Sequence, residues 1–308
     1  MKNFINISDL SSQDLRLIID EAKKRKAKRV GLNKSSADQD SPLKGRSMIM
    51  IFEKPSTRTR ISFDIAIKQL GGSTITLNPE GIHYGKGEES LQDTAKVLSE
   101  YTDIIMIRTS QHKNLEEFSK YSNVPIINGL SDLSHPCQVI SDILTFEEYK
   151  GNISGKKLAW IGDGNNNMSN SFIEASVKFN FILNIGCPKK YSPSKKIISW
   201  AKKNNAKINV MDDAHEAAKD ADCIMTDKWV SMNDKVNKKS KKKSLKKFQV
   251  NKKVMSLAKS DAIFMHCLPV GRGEEVTNDV IDGKSSVVWK QALNRVHTQK
   301  SIIKWCLD

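Results

Sequence analysis

The apolar positions of this chain switch repeatedly between two spacings. Residues 48–52 form a short, nearly unbroken apolar run before Pro55, and Ile61, Ile65, Ile67 and Leu70 then recur at helical spacing as far as Gly71-Gly72. The first pattern suits a strand buried on both faces, and the second suits an amphipathic helix. The same alternation predicts further strands over 73–77, 103–107 and 124–127, and helices over 90–100, 112–121 and 136–149. An earlier helix is predicted behind Ser8, where Leu10, Leu15, Leu17, Ile18 and Ala22 run into basic residues near Lys28. Residues 151–155 have the composition of a linker, and a second series follows them. Its predicted strands cover 157–161, 181–186, 207–211, 223–226, 262–267 and 287–289. Its predicted helices cover 167–179, 194–204, 215–221 and 293–307, with a lysine-rich helical segment over 235–253. Strands alternating with helices imply parallel sheets covered on both faces. The expected fold is therefore α/β, in two similar domains, each a parallel sheet flanked by helices, with the ligand site in the cleft between them. The expected bounds are 1–149, completed by a C-terminal helix over 290–308, and 150–289.

Composition narrows the picture. The chain has 308 residues, 38% hydrophobic and 28% charged, as expected of a water-soluble globular protein. It shows neither an apolar leader nor a run of membrane-spanning length, so neither secretion nor a membrane partner is expected and the cytoplasm is the expected location. Cys137, Cys187, Cys223, Cys267 and Cys306 are far apart and odd in number, which argues against a disulfide framework or a structural zinc site. The net charge of +15 raises the question of nucleic acid. The excess is mostly lysine, concentrated in 235–253, and aromatic residues make up only 6% of the chain. A solvated lysine-rich surface is the expected reading, with no nucleic-acid partner.

Candidate chemistry falls at strand ends, where open α/β sheets bind ligands. Ser56-Thr57-Arg58-Thr59-Arg60 joins a strand to a helix start, whose unpaired N–H groups attract anions, and Arg58 can offer a planar fork to phosphate oxygens. Arg108 and His135 also follow strands, and His135-Pro136-Cys137-Gln138 puts an imidazole and an amide on one helix turn. Together these suit a phosphate ester or anhydride, although each alone would more often be structural. In the second half, Gly162-Asp163-Gly164-Asn165-Asn166-Asn167 lacks the third glycine of a dinucleotide fingerprint, so a tight turn presenting amides fits better. Asp227 ends another strand and could pair with a substrate ammonium or merely cap a loop. Cys267, in His266-Cys267-Leu268-Pro269, would be inert core unless a ligand faces it.

These pieces, with Met106-Ile107-Arg108-Thr109 and Asp227…Ser231-Met232, occur in an order and at separations that resemble the ornithine carbamoyltransferase family over nearly the whole chain. The resemblance implies that carbamoyl phosphate is bound by Ser56, Thr57, Arg58, Thr59, His83, Arg108, His135, Gln138 and Arg295. It implies that L-ornithine is bound by Asn166, Asp227, Ser231, Met232, Cys267 and Leu268. Arg58, Arg108, His135, Asp227 and Cys267 would act on the reacting groups, with no metal or organic cofactor. Family members form trimers or multiples of trimers with sites shared between subunits. They usually carry Gln where this chain has His83, in a loop that reaches a neighbouring site, and acidic residues where it has Lys290 and Leu293. Other acceptors (putrescine, an acylated ornithine, aspartate) remain open at this point. So do a nucleotide-dependent oxidoreductase and a non-catalytic basic binding protein.

Overall fold

The computed structural model describes residues 2–78, 89–230 and 237–308. The chain divides into two units, residues 1–140 with 295–308 and residues 141–294. The chain passes between these units inside two helices, Pro136–Lys150 and Val288–Leu307.

The first unit opens with α1 (Ser12–Ala27), capped by Ser11, whose hydroxyl accepts from the Asp14 N–H; the cap thus lies three residues beyond the expected Ser8. There follow β1 (Ser47–Phe52), α2 (Thr57–Gln69), β2 (Ser73–Leu77), α3 (Leu91–Tyr101), β3 (Ile104–Arg108), α4 (His112–Tyr121), β4 (Ile126–Leu130) and the start of α5 (Pro136–Lys150). The four strands are all parallel and lie in the order β2-β1-β3-β4. Five of the six β1 residues are buried, as a strand covered on both faces requires. The strand expected over 124–127 lies two to three residues later. Pro125 has no N–H to give a ladder, and Asn128-Gly129, which reads as a turn, is instead drawn into β4. The buried Asn128 amide donates to the Ile5 carbonyl at 3.0 Å and to the Ser134 hydroxyl at 2.9 Å. Gly129 has no room for a side chain, since a Cβ there would come within 2.3 Å of the Met106 sulfur.

The second unit contains the rest of α5, then β5 (Lys157–Ile161), α6 (Asn167–Phe179), β6 (Ile182–Gly186), α7 (Lys195–Lys203), β7 (Lys207–Met211) and α8 (Ala214–Ala218). These are followed by β8 (Cys223–Thr226), α9 (Lys238–Leu245), α10 (Lys252–Met255), β9 (Ile263–His266), α11 (Asn278–Ile281) and the start of α12 (Val288–Leu307). Its five parallel strands run β7-β6-β5-β8-β9. The strand expected over 287–289 does not form. Val287 donates one backbone bond to Phe264 at 3.0 Å, and the chain turns directly into α12, five residues ahead of the expected helix start.

The lysine-rich segment is only partly a solvated surface. Lys238, Lys239 and Lys243 are exposed, but Lys241 is buried, and Leu245 packs with Tyr191 and Trp229. Among the described residues no helix is long and apolar enough to cross a membrane.

Candidate active site

In the first unit the chain leaves β1 for β2 on one side of the sheet, while β3 lies on the other. The strand order therefore reverses between β1 and β3, the place where α/β sheets open a crevice at their carboxyl ends. Residues 56–60 follow β1 and Arg108 ends β3, so they meet there. Ser56 is the N-cap of α2 and its side chain makes no capping hydrogen bond. The buried Thr59 hydroxyl accepts from Arg108 Nη1 at 3.2 Å and from Arg295 Nη2 at 2.9 Å. Arg295, on α12, also donates through Nη1 to Gln138 Oε1 at 2.5 Å. His135 sits at the head of α5, its carbonyl accepting from the Gln138 and Val139 N–H groups. Its imidazole is buried and its pKa lies well below the ordinary value, first through loss of solvation and then through the Arg295, Arg108 and Arg58 cations. A neutral ring is thus held among three guanidinium groups. Such a ring can donate or accept a hydrogen bond without adding a fourth charge.

In the second unit the order reverses between β5 and β8, and β9 lies beyond β8. Asp163–Asn166, Asp227 and Cys267 follow these three neighbouring strands. Gly162 takes φ +133° as the chain leaves β5, which sends it into the tight turn. Asn166 caps α6, its side-chain oxygen accepting from the Ser169 N–H at 2.8 Å. The Cys267 thiol donates to Asp227 Oδ1 at 3.2 Å, and both residues are half-buried. The ligating atoms of Asp227, His266 and Cys267 lie within 4.8 Å of one another. Both His266 nitrogens are engaged, since Nδ1 accepts from the Leu268 N–H at 2.9 Å and Nε2 meets Glu275 at 3.2 Å. The ring proton therefore sits on Nε2, and what this strand end offers a ligand is a carboxylate beside a thiol. Leu268 is held at φ +57°, a conformation costly for a side chain of this kind.

The comparisons with known proteins agree along the whole length. Residues 2–148 match the model of the aspartate/ornithine carbamoyltransferase carbamoyl-P binding domain, and residues 154–306 match that of the Asp/Orn binding domain. The chain belongs to this family. It is 49% identical over 306 residues to an ornithine carbamoyltransferase of Rhodopseudomonas palustris, covering 99% of this chain and 96% of the relative. It is 47% identical to one of Agrobacterium fabrum, covering 99% and 98%. The solved ornithine carbamoyltransferase from Pyrococcus furiosus superposes with a TM-score of 0.92 at 41% identity, covering 99% of this chain and 97% of that one.

Most of the residues singled out by sequence are gathered within one unit or the other. The fold brings Arg58, Thr59, Arg108, His135, Gln138 and Arg295 together in the first unit, with Ser56 and Thr57 at the head of α2 beside them. It brings Asp227 and Cys267 together in the second, with Leu268 next in the chain. Asn166 stands at the β5 turn. His83, Ser231 and Met232 lie outside the described residues.

Two side chains escaped the sequence reading. Glu53 accepts from the Thr109 hydroxyl at 2.6 Å and the Ser110 N–H at 3.1 Å, tying the β1 end to the β3 end. Asp163 accepts from the Asn165 N–H at 2.9 Å and pairs with Lys241 at 2.6 Å. Both Glu53 partners are remote in sequence, and so is Lys241, the charged partner of Asp163; only the Asn165 bond of Asp163 is local.

Proposed function

We propose that this carbamoyltransferase moves the carbamoyl group of carbamoyl phosphate to the δ-amine of L-ornithine, giving L-citrulline and phosphate. The reading is carried by the gathering of Arg58, Arg108 and Arg295 about a neutral His135 and the Thr59 hydroxyl. Ser56, Thr57, Arg58 and Thr59 hold the phosphate at the head of α2. Arg108 bridges phosphate and carbonyl oxygen, His135 contacts that oxygen, Gln138 takes the carbamoyl NH₂, and Arg295 supports both Thr59 and Gln138. His83 belongs to the same set. The Asp227 carboxylate and Cys267 thiol orient the amine, with Asn166, Ser231, Met232 and Leu268 completing the ornithine subsite.

An alkylammonium titrates near 10.4 in water, so the attacking amine must be the minor neutral form. A full carboxylate would favour the ammonium, and Asp227 therefore acts chiefly to position the group. As nitrogen adds to the carbonyl carbon, charge grows on the carbonyl oxygen, where preorganised donors contribute most. The C–N bond forms, the amine sheds a proton, and the C–O bond to phosphate breaks with Arg58 and Arg108 balancing the departing charge.

We also propose a cytoplasmic homotrimer. The free state of all five cysteines supports a reducing compartment. A subunit contact through the first unit is supported by exposed Ile61, Ile75, Val97 and Tyr101 and by the half-exposed edge strand β2. A mass in solution other than three chains, or a multiple of three, would contradict it.

The test is direct. The purified chain is incubated with carbamoyl phosphate and, separately, with L-ornithine, putrescine, an acylated ornithine or aspartate, and the ureido product is measured. Ornithine should be preferred by a wide margin; a preference for any other acceptor would overturn the assignment.

A further inference from the structure

The buried Lys241–Asp163 pair lies outside the groups that touch substrate in the proposed reaction, yet it borders the acceptor subsite. Both side chains are buried, with Lys241 Nζ 2.6 Å from Asp163 Oδ2. An ion pair withdrawn from water gains little net stability over an apolar pair of the same shape, so burial alone does not account for the choice of a charged pair here. What the pair does account for is the shape of the β5 turn. Asp163 uses its other oxygen, Oδ1, to accept from the Asn165 N–H at 2.9 Å, and its carbonyl accepts from the Trp160 indole at 2.9 Å. These bonds fix the turn that delivers Asn166 to the head of α6. Lys241 supplies the opposite charge that partners and anchors the buried Asp163 carboxylate.

The pair also reaches the β8 end. Lys241 sits on α9, its ammonium 5.5 Å from the centre of the Tyr191 ring, and Leu245 one turn on packs with Tyr191 and Trp229. Trp229 stands two residues beyond Asp227. Lys241 therefore ties α9 to the Asn166 turn, while Leu245 ties it to the chain just after Asp227.

We propose that Lys241 is a positioning residue for the amino-acid acceptor. Acting through Asp163, it holds the Asn166 turn in register with the Asp227 strand end and tunes acceptor binding without touching substrate. The proposal rests on the ornithine reading of this site.

Lys241→Met, Lys241→Arg, Asp163→Asn and the double variant Lys241→Met/Asp163→Asn would be compared with wild type for kcat, for KM of each substrate and for thermal unfolding. A displaced substrate-positioning group can cost up to about a hundredfold. Lys241→Met should raise the ornithine KM by about tenfold or more and leave the carbamoyl phosphate KM within about twofold. Lys241→Arg should restore most of the loss. The double variant should be no worse than the poorer single one, as expected of residues acting as a unit. Should Lys241→Met fail to fold, the Arg and Asn variants carry the same comparison. Lowered thermal stability with an unchanged ornithine KM would overturn the proposal, and so would equal rises in both KM values. A wild-type chain that makes no citrulline would overturn the functional reading instead, and this proposal with it.

Discussion

Thr59 shows how much one side chain can be asked to do. A hydroxyl has two acceptor sites and one proton, and at Thr59 both acceptor sites are taken by Arg108 and Arg295. The proton must then point elsewhere, which makes it a donor for an anion held between the two guanidinium groups. Thr59→Val keeps the shape and removes the hydroxyl. It should lower kcat by about 10²–10³, the usual loss for an oxyanion donor, while Thr59→Ser should retain most activity, as steady-state kinetics with saturating ornithine would show. Residues of this kind were legible in the sequence because chemistry and position coincide. Ser56–Arg60, Arg108 and His135 each stand at a strand end that the apolar pattern already marks. Glu53 and Asp163 were not legible. An acid beside a strand reads as an ordinary loop residue, and its partners at Thr109 and Lys241 are revealed only by the fold.

The elements of the first unit are joined by a charge cluster that no periodicity discloses. Asp38, in the loop between α1 and β1, accepts from Arg25 of α1 at 3.0 Å and from Arg29, just past the end of α1, at 2.7 Å, and pairs with the fully buried Lys300 of α12 at 2.6 Å. One carboxylate thus serves three cations, one on α1, one just past its end and one on α12. Burial lowers the Lys300 pKa, with the Arg29 and Arg25 cations adding to it, and Asp38 opposes them. Removing the carboxylate would strand the cations, so Asp38→Ala should lose about 3–5 kcal/mol of stability in urea unfolding. The apolar pattern does not mark Asp38 for this role, and it predicts a strand over 287–289 where none forms, because two valines before a tryptophan suit either a buried strand or a helix start. Periodicity is weakest at such short apolar runs. Helices α4 and α6, each of ten residues or more, fall where the pattern puts them.

For the whole molecule, buried histidines set the response to acid. Burial lowers the pKa of His112 and His135, and burial with nearby lysines brings His297 to about 3. Below about pH 6.5 the unfolded chain takes up protons that the folded chain refuses, so these rings favour folding fully above that pH and lose the contribution as pH falls. Asp38 and Asp222, whose values are lowered by their cationic partners, add acid sensitivity only below the ordinary carboxylate range. Between pH 6.5 and 5, His297 alone should cost about 2 kcal/mol, measurable as a falling urea midpoint; a flat profile would contradict its burial as a neutral ring. The two-unit α/β plan was legible throughout, since it follows from many alternating segments, and α5 and α12 run across the place where the chain passes from one compact unit to the other. The thiols give the molecule a further property. Burial pushes Cys137 up to about 12 and Cys187 up to about 11, and holds Cys223 and Cys306 well above the usual value, while Cys267 alone is not fully enclosed. An alkylating reagent added to the native protein should therefore mark one sulfur first, and bound ornithine should shield it, so the labelled fraction would count vacant acceptor sites directly.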